Sequence, residues 1–281
     1  MKALLVWFQG VARVGVIARH VVQIALRQRF VAFCFLVAIG LMGSVRGLRL
    51  FNFGATEMTF AIDLGFGVMA LFGTVLAIVA TAQHFCSEID QRTALTLLAK
   101  PIGRGEFLVG QLVGMSGLLA AFCFVMLVLL AVALALEFVG SGASGTRVDL
   151  GLTDVPIRGL AMAGFAQWLK LTLLSALTLL VASFSRSLFY TVGLGLFLMV
   201  LCHLQPVLRA VQGRSEVVVL RWIAELVIRV LPDLRTFDLA PSVIRGAGLD
   251  FELFGSIGLY GMFHLVVISA VAVAAFRRRE L

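Results

Sequence analysis

HFCSEIDQRTALTLLAKPIGRGE, residues 84–106, is a strongly polar stretch held between two long apolar runs. AIDLGFGVMALFGTVLAIVATAQ (61–83) precedes it and FLVGQLVGMSGLLAAFCFVMLVLLAVALAL (107–136) follows. Crossing roughly 30 Å of hydrocarbon as a helix takes about 20 residues, and both runs are long enough. Lipid offers the backbone no hydrogen-bond partner, so such runs cross as helices. The 107–136 run is longer than a perpendicular crossing needs, which implies tilt or an interfacial start.

The rest of the chain repeats the pattern. It is 61% hydrophobic and 14% charged, with a mean hydropathy of +1.06. That apolar share is far above a soluble domain's. Apolar spans are expected at about Phe30–Val45, Ala61–Gln83, Phe107–Leu136, Ile157–Ser183, Leu188–Leu204 and Phe254–Phe276. The expected fold is an all-α polytopic membrane protein with six transmembrane helices. An N-terminal interfacial helix and an outer amphipathic helix before the last span complete it.

The interfacial helix is read over residues 5–28. Arg13, Arg19, His20, Gln23 and Arg27 share an arc of roughly 120°, opposite Trp7, Val11, Val14, Ala18, Val21, Val22 and Ala25. Such a helix lies on the membrane with its cations toward the headgroups. The outer helix comes from the 206–252 region. There Arg214, Arg221, Glu225 and Arg229 fall within about 80°, and Val219, Trp222, Ile223, Leu226, Val227 and Val230 cover much of the remainder. The organisation is thus a cytoplasmic elbow helix, 1–29, and a six-span domain, 30–281, with a polar loop at 84–106 and the outer region at 206–252.

Six spans put both termini on one side. The cations of the N-terminal helix, of residues 84–106, Arg186 and Arg277–Arg279 gather there, which makes that side cytoplasmic and the location the cytoplasmic membrane. The formal charge of +8 raises the possibility of nucleic acid, but the basic residues flank apolar runs instead of forming a soluble basic face. The four cysteines and four histidines are scattered without CxxC or HExxH spacing, so neither a metal site nor a disulfide framework is expected.

Lys170 beside Trp168 interrupts the fourth apolar stretch. In one reading it is an intramembrane charge with a function. In the other, which the Trp–Lys pairing favours, residues 157–167 lie along the outer surface, the span starts near Trp168, and Lys170 snorkels outward.

Within the opening stretch, Ser87 to Asp90 fits an S-x-x-D cap, Glu88 and Arg92 sit at i and i+4, and Pro101 with Gly103 stops a helix. A short cytoplasmic helix is expected. Phe85, Ile89, Leu95, Leu97 and Leu98 are too many apolar residues for open water. Their cover is either the inner ends of the chain's own spans or a separate protein.

SEIDQRTALTLLAKPIGRGEFLVGQLVG resembles the loop between the second and third spans of permeases of the type-2 class of ATP-binding cassette (ABC) transporters. Glu88, Asp90, Arg92, Thr93, Leu97, Leu98, Pro101, Ile102, Arg104 and Gly110 match in place, while Gly103 and Gln111 stand where Ser and Lys are usual. LPDLRTFDL (231–239) and the terminal FRRREL are similar to the family's corresponding segments.

The resemblance implies that residues 84–106 form a coupling helix that docks on a separate ATPase subunit. Phe85, Ile89, Leu95 and Leu98 would give apolar contact. Glu88, Asp90, Arg92, Thr93 and Arg104 would orient it, and Pro101 would stiffen it. ATP and Mg would belong to that partner, with no cofactor on this chain, which has no GxxxxGK[ST] phosphate loop and is not read as an enzyme. A second permease chain and membrane lipid are the other partners, nucleic acid is not, and export of an unidentified substrate is the implied activity. Trp222 and Leu226 are candidate outer-gate residues. The alternatives are an ion-coupled secondary transporter, motivated by Asp63, Glu137, Lys170 and Glu252, and a non-transporting anchor or assembly subunit.

Overall fold

The computed structural model describes residues 2–44, 47, 57–90, 103–140, 157–185, 187–214, 218–244 and 251–278, and among these there is no strand. Among the described residues the α-helices run in order α1 (Lys2–Arg27), α2 (Arg29–Gly43), α3 (Glu57–Val75), α4 (Thr81–Asp90), α5 (Arg104–Gly140), α6 (Ile157–Phe184), α7 (Leu188–His203), α8 (Gln205–Arg214), α9 (Val218–Val230), α10 (Ala240–Ile244) and α11 (Phe251–Arg277). A π-helical turn, Leu76–Ala80, joins α3 to α4 without a break, and a 3-10 turn, Leu234–Phe237, precedes α10.

Among the described residues, four helical stretches are long and apolar enough to cross a membrane: Thr59–Ile89, Arg104–Leu136, Ile157–Phe184 and Phe251–Arg277. Their backbones satisfy themselves internally, so apolar surface can be left toward lipid. α1 and α2 form a bent pair at 69°, which makes a fifth candidate if counted as one span. The bend sits at Gln28, whose extended backbone (φ −71°, ψ 126°) interrupts the helix. α2 and α7, at 15 and 16 residues, reach only about 22–24 Å at 1.5 Å per residue, short of a full hydrocarbon crossing.

α6 is the central helix. Apolar and small polar residues surround it, and nearly every residue from Leu160 to Ser183 is buried. It packs against α5, α7 and α11. The expectation that residues 157–167 lie apart on the outer surface is corrected here. The helix is unbroken from Ile157, and Leu160, Met162, Ala163, Gly164, Ala166 and Gln167 are all buried. Gly164 explains why that turn can enter the bundle, since a Cβ there would stand 2.2 Å from Leu127 Cδ1.

α1 packs chiefly along α5. Of the apolar arc read from sequence, Ala18, Val21 and Ala25 are buried, joined by Ile17, which lies outside that arc, while Arg19 and His20 are exposed. Gly110 and Gly114 form the receiving surface. A Cβ at 114 would meet Val21 Cβ at 2.6 Å and the Ala18 carbonyl oxygen at 2.8 Å, and one at 110 would meet Ile17 Cβ at 2.7 Å. Small residues four apart allow this close helix approach.

Candidate functional site

The polar end of the bundle is built where α4 stops and α5 starts, on either side of residues 91–102. Helix continues through Ser87 to Asp90, so Ser87 is an interior position and not the cap of a new short helix. Phe85 follows from this continuity. As part of the span, its ring lies 6.2 Å from Phe107 and 5.7 Å from Phe276, which are 6.1 Å from each other. This aromatic triangle ties α4, α5 and α11 together, and all three rings are essentially inaccessible.

The assignment of Phe85 to partner contact is therefore corrected: its ring is covered by the chain itself. Glu88 is also buried, and the Gln111 side-chain amide donates to its Oε2. His84 Nδ1 lies 3.8 Å from Glu88 Oε1, one helical turn back. Glu88 thus fastens α4 to α5 and does not project toward a docking surface. Ile89 is half-buried against the same core.

Further bonds fix the start of α5. The Gly103 amide donates to Glu106 Oε2 at 3.2 Å, closing the first turn. Arg13 of α1 lies 3.6 Å from that same oxygen. Arg104 donates to the Arg277 carbonyl at 3.0 Å, which captures an otherwise unfilled acceptor at the end of α11. Four helices thus converge on the two ends of residues 91–102. Arg92, Thr93, Leu95, Leu98 and Pro101 lie outside the described residues, as does the side chain of Asp90.

A second polar station lies along α6. Lys170, the fourteenth residue of that 28-residue helix, is buried and its Nζ stands 2.7 Å from Asp238 Oδ1. It turns into the chain instead of snorkelling outward. Asp238 belongs to the 231–239 segment, which is anchored by fully buried Leu234 and Phe237. Asp233 caps the 3-10 turn through Arg235 N and pairs with Arg209 at 3.1 Å, while Tyr260 accepts from the Asp233 amide at 2.8 Å. Sequence alone marked Lys170 but not its partner, because Asp238 lies 68 residues away. Trp222, on α9, is 70% exposed, and the Leu226 side chain lies outside the described residues. Among the described residues no three His, Cys, Asp or Glu side chains are grouped for a metal ion.

Long apolar helices joined by internally satisfied polar ends define a multi-pass membrane protein. Residues 18–281 match the family described as ABC-2 family transporter protein, and the chain belongs to that family, a membrane subunit of an ABC transporter. No curated protein matches the chain.

Proposed function

We propose that this chain is the permease of an exporter in the cytoplasmic membrane, driven by a separate ATPase that docks on residues 84–106. The observation that carries the reading is the convergence of α1, α4, α5 and α11 at that stretch through Phe85–Phe107–Phe276, Glu88–Gln111, Arg13–Glu106 and Arg104–Arg277. A force applied between α4 and α5 reaches α5 and α11 through the buried Phe85–Phe107–Phe276 and Glu88–Gln111 contacts, and α1 and the end of α11 through the more exposed Arg13–Glu106 and Arg104–Arg277 pairs; a close-packed interior transmits displacement.

In this reading α2 and α7 complete six crossings, both termini are cytoplasmic, and α1 is the elbow. Ile89, Asp90, Arg92, Thr93, Leu95, Leu98, Pro101 and Arg104 carry the docking, with Phe85 and Glu88 holding the receiving end rigid beneath them. ATP and Mg bind the partner. A second permease chain completes the path, and exposed apolar side chains on α2 and α7, Phe33, Leu36, Phe189 and Phe197 among them, offer it a surface. Trp222 and Leu226 frame the outer end.

The test is co-purification with a co-expressed ABC ATPase subunit. Arg92→Glu combined with Leu98→Asp should release the ATPase while the permease keeps its elution position; retention of the ATPase would refute the docking assignment. A secondary transporter would instead draw on Lys170. Its half-exposed partner, Asp238, sits on the 231–239 segment and suits a latch holding that segment to α6.

A further inference from the structure

A cavity of about 480 Å³ opens sideways between α5 and α6, lined by Cys123, Phe124, Leu127, Ala131, Ala161 and Phe165 among others. Its walls are almost wholly apolar, and its outer lip is open: Phe124 is 68% exposed. Trp168 forms one end and is held there by a 3.0 Å bond from its Nε1 to the Ser116 carbonyl. Ile157 forms the other end. The eleven-residue rise between them is about 16 Å, the depth of one leaflet of a roughly 30 Å hydrocarbon layer.

Arg158 follows Ile157 at that end of α6 and is exposed. Arg158, Ala161, Phe165 and Trp168 are spaced at three, four and three residues, which places Arg158 at the edge of the α6 stripe that lines the groove, on the side toward α11. Its guanidinium lies 4.2 Å over the Phe251 ring. That stacking orients the group, and among the described residues no carboxylate pairs with it. An apolar slot of leaflet depth ending at an exposed, oriented guanidinium matches one amphiphile: a chain below and an anionic phosphate at the mouth.

We infer that the α5–α6 groove holds an acyl chain of an anionic glycerophospholipid whose phosphate is bound by Arg158, in the leaflet at the Ile157 end of the span. The site needs only that α5 and α6 cross the membrane, and it is independent of where the ATPase docks. Its occupant is a bound lipid, distinct from the fluid annulus around the other spans, because the annulus has no reason to select charge at this one groove.

The groove contains its own reporter. The chain has three tryptophans, Trp7, Trp168 and Trp222, so Trp7→Phe with Trp222→Phe leaves Trp168 alone to report. The full-length double variant is reconstituted in vesicles with increasing mole fractions of brominated phosphatidylglycerol or brominated phosphatidylcholine, and Trp168 quenching is followed. Half-maximal quenching should need about fivefold less phosphatidylglycerol than phosphatidylcholine, the factor for the ~1 kcal/mol of one basic residue at an anionic surface.

Arg158→Gln, an exposed substitution, should bring that ratio to about one. Ala131→Phe with Ala161→Phe should lower the maximal quenching by filling the slot. Equal quenching by the two lipids, or a preference that survives Arg158→Gln, overturns the assignment. Quenching undiminished in the filled groove would mean that the annulus reaches Trp168, and quenching that weakens as protein density rises would mean that a second copy covers the groove. Either result also overturns it.

Discussion

Replacing Asp238 with alanine should destabilise the chain far more than replacing Lys170 with methionine, although both changes break the same 2.7 Å ion pair. The asymmetry comes from burial. The Lys170 side chain is 4% exposed and the Asp238 side chain 42%. Removing Asp238 strands an ammonium among Leu169, Leu171 and Leu173 of the bundle core. An uncompensated buried charge costs about 3–5 kcal/mol. Removing Lys170 leaves a carboxylate that is not enclosed by the bundle and can turn away from α6, and methionine fills the space of the lysine stem, so the cost should be well below that of the stranded ammonium. The assay is the temperature at which half of the detergent-purified protein leaves its monodisperse chromatographic peak. Asp238→Ala should lower it sharply, Lys170→Met little, and the double substitution should recover most of the loss. Equal losses for the two single variants, or no recovery in the double, would refute the reasoning.

Phe85→Ala should cost about 3–5 kcal/mol of stability, because the ring fills the space between Phe107 and Phe276; thermal unfolding would show this, and a fully stable variant would return Phe85 to a surface role. Gly114→Ala should loosen α1 from α5, since the added methyl meets the Ala18 backbone oxygen at 2.8 Å, whereas Gly40→Ala meets nothing within 4 Å and should be neutral or slightly stabilising. Limited proteolysis of α1 distinguishes the two variants.

Helical class, the positions of the long spans and the apolar arc of α1 were legible because each is a local property of composition or of 3.6-residue periodicity. The arc residues Ala18, Val21 and Ala25 are buried as their pattern requires. What sequence left open is what the arc packs against. Lipid and the Gly110–Gly114 surface of α5 present the same apolar demand, so periodicity alone does not choose between them.

The polar stretch shows the opposite limit. S-x-x-D at Ser87–Asp90 is a sound capping pattern, yet the helix runs through it because the preceding span already supplies the helical backbone and Phe85 and Glu88 have partners on α5 and α11. Those partners lie between 22 and 191 residues away in the chain, beyond any local signal: Phe85 to Phe107 and Phe276, Glu88 to Gln111. Trp168 beside Lys170 misled for a related reason. The pair resembles an interfacial motif, but Ser116 and Asp238 occupy both polar heads within the fold.

The central claim is that an ATPase pushes on the stretch between α4 and α5, and site-specific photo-crosslinking tests it most directly. A photoreactive amino acid placed singly at Leu95, Leu98 or Phe85 is activated in membranes containing the co-expressed ATPase. Crosslinks to the ATPase are expected from positions 95 and 98, and only intrachain products from position 85. An ATPase crosslink from 85, or none from 95 and 98 while the two proteins still co-purify, would contradict it.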